Sequence, residues 1–298
     1  MALLDVKNTL TSQLKHNRIL RPFLKILILL LLFYCPNNSA KLLAQTVVSK
    51  AQLPKIIEET SGLEFFEDDF LTHNDSGGKP DLYRFTKKGN LIEKYSILGS
   101  ENNDWEDITQ DENFLYISDS GNNKGKRKDL NILIVDPKKN FKKVGKIAFN
   151  YLDQQNFDKR NKHPFDAEAL ISTQEMLILF SKNRKTSRTE LYSIPKTPGN
   201  YSLSSQNSFD VQSLITGGDY NHSLKLVALV GYTRSRKQFL YTFSSFDMEN
   251  LNQVKMKKFK LPLDGKQIEA VKIIDQENFW ITSEGGVNSY PMLYKIRL

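Results

Sequence analysis

EDITQDENFLYISDSGNN, residues 106–123, opens on an acid and runs through Asp107-Ile108 into a polar turn. It returns as Phe114-Leu115-Tyr116-Ile117 and ends in turn formers. Such a pattern reads as a strand, a reversal and a second strand buried on both faces, half of a four-stranded antiparallel unit. Two distant stretches follow the same plan: EALISTQEMLILFSKNR (168–184) and EAVKIIDQENFWITSEGG (269–286).

The chain holds five such units. Their openings are Ser61-Gly62-Leu63, Glu106-Asp107-Ile108, Glu168-Ala169-Leu170, Gly218-Asp219-Tyr220 and Glu269-Ala270-Val271, spaced 45, 62, 50 and 51 residues apart. A second strand follows each opening, and a third recurs as Leu82-Tyr83, Ile132-Leu133, Leu191-Tyr192, Leu240-Tyr241 and Leu293-Tyr294. Four units add a more polar fourth strand, at 91–97, 143–149, 201–209 and 254–261, as expected where an outer edge meets water. The fifth stops at Leu298 after its third strand, and residues 46–53, which belong to no unit, can supply the fourth. An all-β chain with this repeat is expected to form a five-bladed β-propeller closed by its N-terminal strand. Six blades would need one hidden around residues 153–162, a stretch that reads as polar loop.

Residues 1–44 stand apart from the repeats. Lys15, His16, Arg18, Arg21 and Lys25 lead into eight apolar residues, 26–33, followed by Asn37, Asn38, Ser39 and the small residues Ala40 and Ala44. This order is that of a secretory signal, and the apolar run is too short to span a membrane. The alternatives are a lipid-bearing Cys35, preceded by the bulky Phe33-Tyr34, and an N-terminal helix of a cytosolic protein. Domain limits of 1–44 for the signal and 45–298 for the propeller follow, with an exported destination: periplasm, cell surface or medium. The segment holds six of the 42 Lys/Arg and one of the 34 Asp/Glu, so the remainder carries 36 bases against 33 acids, a balance of +3 rather than +8. That balance argues against a nucleic-acid partner. Cys35 is the single cysteine, so residues 45–298 have no disulfide and must be held by their core. A monomer is expected.

In an antiparallel blade the first strand starts and the second ends on the same face, and the innermost strand lines the channel. Ser61, Glu106, Glu168 and Glu269 therefore gather at the channel mouth, with Gly218 completing the ring. Crowded carboxylates need a cation or protons, and an all-oxygen donor set suits calcium. A water-filled polar channel with each acid satisfied by backbone or arginine is the competing reading. The loops after the second strands add His73, Asn74, Asp75, Asp119, Asn122, Lys182, Asn183, Arg184, Arg234 and Glu284. Mixed acids, amides and cations suit a small anionic or phosphorylated ligand. Asn, Asp, Ser and Gly are also ordinary turn formers.

The strings TSGL (60–63), HNDSG (73–77), NDWEDI (103–108), DSGNN (119–123), DAEAL (166–170) and FSKNR (180–184) resemble blade motifs of secreted bacterial propellers of the esterase-like or phytase-like type. The resemblance runs from about residue 59 to the C-terminus. The architecture is also similar to calcium-activated nucleotidases (soluble apyrases), whose five blades surround a calcium ringed by serine and glutamate. By position that ring falls on Ser61, Glu106, Glu168 and Glu269. Gly218 departs from it, and the catalytic motifs of apyrases are not matched.

The resulting expectation is a calcium-dependent hydrolase of phosphate or other esters. Ser61, Glu106, Glu168 and Glu269 would hold the metal, and Asp75, Asp119 or Glu284 would assist a water. Lys182, Arg184 or Arg234 would stabilise developing charge. The alternative is a non-enzymatic envelope propeller that binds a ligand or protein and uses calcium structurally.

Overall fold

The computed structural model describes residues 45–298, except residue 160. The expected signal segment and Cys35 lie outside the described residues. Strand β1 (Thr46–Gln52) is followed by β2 (Thr60–Phe66), β3 (Asp69–Asn74), β4 (Asp81–Phe85) and β5 (Leu91–Ser96), the last four forming blade one in that order. Blade two contains β6 (Trp105–Gln110), β7 (Leu115–Asp119), β8 (Asn131–Asp136) and β9 (Lys142–Tyr151). Blade three contains β10 (Ala167–Ser172), β11 (Met176–Ser181) and β12 (Thr189–Pro195). Then come β13 (Gly199–Leu203) and β14 (Asn207–Phe209), of which only β14 joins that blade. Blade four is β15 (Leu214–Asn221), β16 (Leu226–Tyr232), β17 (Gln238–Ser244) and β18 (Lys255–Lys260). Blade five is β19 (Ile268–Ile273), β20 (Asn278–Ser283) and β21 (Met292–Arg297), completed by β1. The count is five, and 153–162 holds no further blade among the described residues. No described helix is long and apolar enough to cross a membrane.

Closure follows the sequence expectation. β1 runs antiparallel to β21, from Thr46 opposite Arg297 to Gln52 opposite Met292, and the Leu53 N–H donates to the Pro291 carbonyl at 2.8 Å. Leu53 and Ile57 are buried with Phe70, Phe85, Trp280 and Leu293 between blades five and one. Four similar apolar wedges fill the other junctions. Trp105 lies in the wedge between blades one and two, its ring edge-on to His73 with centroids 5.6 Å apart. Packing between blades thus replaces a single central core and leaves the axis to polar groups.

One expected strand divides. Residues 201–209 read as the fourth strand of blade three, yet β13 pairs in parallel with β9 of blade two, and only β14 pairs with β12. β9 is the outermost strand of the four in blade two, and β13 covers its free edge along Ile147–Tyr151. An unpaired edge is costly to leave open, and an extra strand closes it.

Candidate metal centre

Every inner strand is interrupted near its start by a β-bulge. The register shifts fall between Ser61 and Glu64, Trp105 and Asp107, Ala167 and Ala169, Ile215 and Gly217, and Ile268 and Ala270. A bulge adds one residue to one strand and re-aims its side chain. The inserted residues are Glu106, Glu168, Thr216 and Glu269, while blade one uses Gly62 at φ 68°, where a Cβ would meet the Ile108 nitrogen at 2.7 Å. The blade-four position equivalent to the glutamates is therefore Thr216, two residues before the expected Gly218. Hydroxyls here tie one inner strand to the next. Ser61 donates to the Glu106 carbonyl at 2.6 Å, and Thr216 donates to the Ile268 carbonyl at 2.7 Å.

Two groups of three carboxylates form at this level, each with oxygens within 4.8 Å of one another: Asp75, Asp104 and Glu106, then Glu106, Asp166 and Glu168. Neither contains Glu269. Asp104 and Asp166 were not among the expected site residues. The signal for them is an acid two positions before Glu106 and Glu168, absent before Glu269, where Gln267 stands, since alternate strand residues share a side.

The second group is compensated by the chain's own cations. Lys182 Nζ is bonded to Glu168 Oε2, and Arg184 reaches Asp166 at 2.9 Å and Glu168 at 3.3 Å. Asp166 also accepts the Asn122 N–H at 2.7 Å. The first group has no ion-pair partner among the described residues. Glu106 Oε1 and Asp75 Oδ1 are buried without a protein hydrogen-bond partner, as is Glu269 Oε1. A Cβ on Gly121 would overlap both the Glu106 and Asp104 carboxyl groups, so glycine is what lets the two approach each other here.

Burial and mutual repulsion push the acids toward protonation. Asp75 is raised to about 7 by burial, then by Asp104 and Glu269. Asp104 is raised to about 6 by burial and Asp166, and Glu284 to about 9 by burial, Glu269, Asp75 and Glu59. Burial, then Glu168, drives Glu106 well up as well. Burial opposes the charge on Lys182, but Glu168 and Glu269 more than offset it and hold the ammonium form. Burial brings His73 down to about 4, leaving it neutral.

The expected ligand-binding residues divide. Asp75, Lys182, Arg184 and Glu284 join the carboxylate centre. Asp119 is instead committed to Arg127 at 2.9 Å, the Asn103 side chain and the Asp104 N–H. Asn122 binds the Phe165 carbonyl and accepts the Arg127 N–H, and Asn183 binds Glu190. Asn74 binds the Ile56 carbonyl, His73 the Asn74 carbonyl, and exposed Arg234 the Arg184 carbonyl.

Further along the axis, Asp107 accepts N–H groups from Ile108 (2.9 Å), Leu170 (2.8 Å) and Gly218 (3.1 Å), joining three blades. Near the other end of the inner strands, Lys272 lies between Glu64 and Asp219.

The sequence matches no protein-family model and no curated protein. Among solved structures, it is similar to the PQQ-bound aldose sugar dehydrogenase of Streptomyces coelicolor, with 10% identity over 85% of this chain and 98% of that one and a TM-score of 0.49. The WD40 domain of Neurospora crassa Pan2 is 8% identical over 80% of this chain and 74% of its own, with a TM-score of 0.40. A protein of Bacteroides fragilis is 8% identical over 85% and 95%, also with a TM-score of 0.40.

Proposed function

We propose that this is an exported propeller that holds calcium at the channel mouth and hydrolyses a phosphate or other ester there. The observation that carries the metal is the excess of buried carboxylate over cation, with Glu106 Oε1 and Glu269 Oε1 left without protein partners. The donors are carboxylate and hydroxyl oxygens, which fit a hard cation. Ser61, Glu106, Glu168, Glu269 and, from blade four, Thr216 are its ligands in this reading. When bound, calcium supplies Lewis-acid polarisation of an ester oxygen. Arg184, partly exposed beside buried Lys182, provides positive charge for an anionic substrate. Glu284, protonated at neutral pH, can give a proton. The resemblance to esterase-like and phytase-like propellers supports an ester substrate. Ligand recognition is small-molecule and anionic, and the protein acts as a monomer.

The test is turnover of aryl phosphates and aryl acetates by the purified protein, with calcium or with EGTA, alongside Glu168→Ala. Calcium-dependent turnover lost in the variant supports the reading. If Glu168→Ala leaves both turnover and calcium-dependent melting unchanged, the assignment fails.

A second reading has its own support. Asp119, Asn122 and Asn183 are consumed in holding loops, which suits a ligand-binding propeller with a structural calcium. Calcium stabilisation without hydrolysis of any ester would favour it.

A further inference from the structure

We propose that Asp75, Asp104 and Glu106 form a second cation position at the junction of blades one and two, distinct from the ring set and sharing Glu106 with it. Three carboxylates with oxygens within 4.8 Å cannot all ionise without a counter-charge. On the neighbouring group that charge is internal, because Lys182 and Arg184 sit on Glu168 and Asp166. Here it is not. Arg127 and Lys182, whose charges reach this group, are each engaged elsewhere: Arg127 by Asp119 and Asp129 at 2.9 and 3.0 Å, and Lys182 by Glu168.

The independent observation is Glu106 itself. The residue is 4% exposed, and its Oε1, which shares the Gly121 flank with the Asp104 carboxyl group, has no protein hydrogen-bond partner. Gly121 adds a steric argument. A methyl group there would collide with the Glu106 and Asp104 carboxyl groups, so only glycine lets these two carboxylates stand together against its backbone. With three carboxylates and neither thiolate nor imidazole in the group, the ligand class is a hard divalent cation of the calcium or magnesium kind. Asp75 and Asp104 are only partly buried, so the position opens toward the mouth.

This position does not depend on hydrolysis, and its test separates it from the ring. The full chain is stripped with EGTA and titrated calorimetrically with calcium, then with magnesium, to count equivalents. Wild type is expected to bind two calcium ions. Asp75→Asn and Gly121→Ala should each lose one, or weaken it at least tenfold, while Glu269→Gln keeps it. If wild type binds one ion that survives in both Asp75→Asn and Gly121→Ala but is lost in Glu269→Gln, the second position is overturned and the ring stands. If the one ion is lost in Asp75→Asn and kept in Glu269→Gln, the second position stands and the ring fails. No binding overturns both.

Discussion

The ammonium group of Lys182 rests on the carboxylate of Glu168, both buried at the start of the channel. The pair divides the centre into a side neutralised by the chain and a side that is not. Removing one member of a buried pair leaves an uncompensated charge and costs about 3–5 kcal/mol. Lys182→Met should therefore lower stability by about that much in EGTA. Added calcium should recover part of the loss, and urea unfolding in the two conditions measures both.

The bulge assignment makes Thr216 the blade-four member of the ring. Thr216→Val keeps the shape but leaves the buried Ile268 carbonyl without its donor, a loss of about 1–3 kcal/mol. Thr216→Ser should stay within about 0.5 kcal/mol of wild type, since its hydroxyl can keep the bond. Equal denaturation midpoints for all three proteins would contradict the assignment.

Asp107 gathers three amide N–H groups from blades two, three and four. Asp107→Ala should cost at least about 2 kcal/mol, because each buried donor left unpaired carries a penalty of about 1–3 kcal/mol. Faster hydrogen exchange at Leu170 and Gly218 would locate the effect.

Without metal, the mouth acids set a pH dependence of definite sign. Asp75, Asp104 and Glu284 titrate higher in the folded protein than in the unfolded chain. The folded state then binds more protons from about pH 4 up to each group's own pKa, so stability falls as pH rises from about 4, and the losses from Asp104, Asp75 and Glu284 are complete near 6, 7 and 9. His73 acts oppositely. Neutral in the fold down to about pH 4, it withdraws stability as pH falls below 6.5. In EGTA the melting temperature should decline from about pH 6 to pH 9, and calcium should flatten that decline.

Strand repeats made the fold legible because each blade repeats one alternation of buried and polar segments, and because 46–53 had no unit of its own. Glu106, Glu168 and Glu269 were legible for the same reason. Thr216 was not, since Gly217-Gly218-Asp219 imitates the small-then-acidic opening of the other units while the bulge falls earlier. The defection of β13 to blade two was hidden by the strand-like character of the whole 201–209 stretch. Which acids are already paid by lysine or arginine depends on loop paths after the second strands. Lys182 and Asp119 look alike in sequence as loop residues, yet one enters the centre and the other is locked to Arg127.

Buried carboxylates at the mouth outnumber their cations, and in the proposed reading they hold a divalent ion. The melting temperature of EGTA-stripped protein, measured at pH 7.5 with and without millimolar calcium, tests it most directly. A rise of several degrees on adding calcium, absent in Glu106→Gln, is the expected result. Identical melting in calcium and EGTA would contradict it.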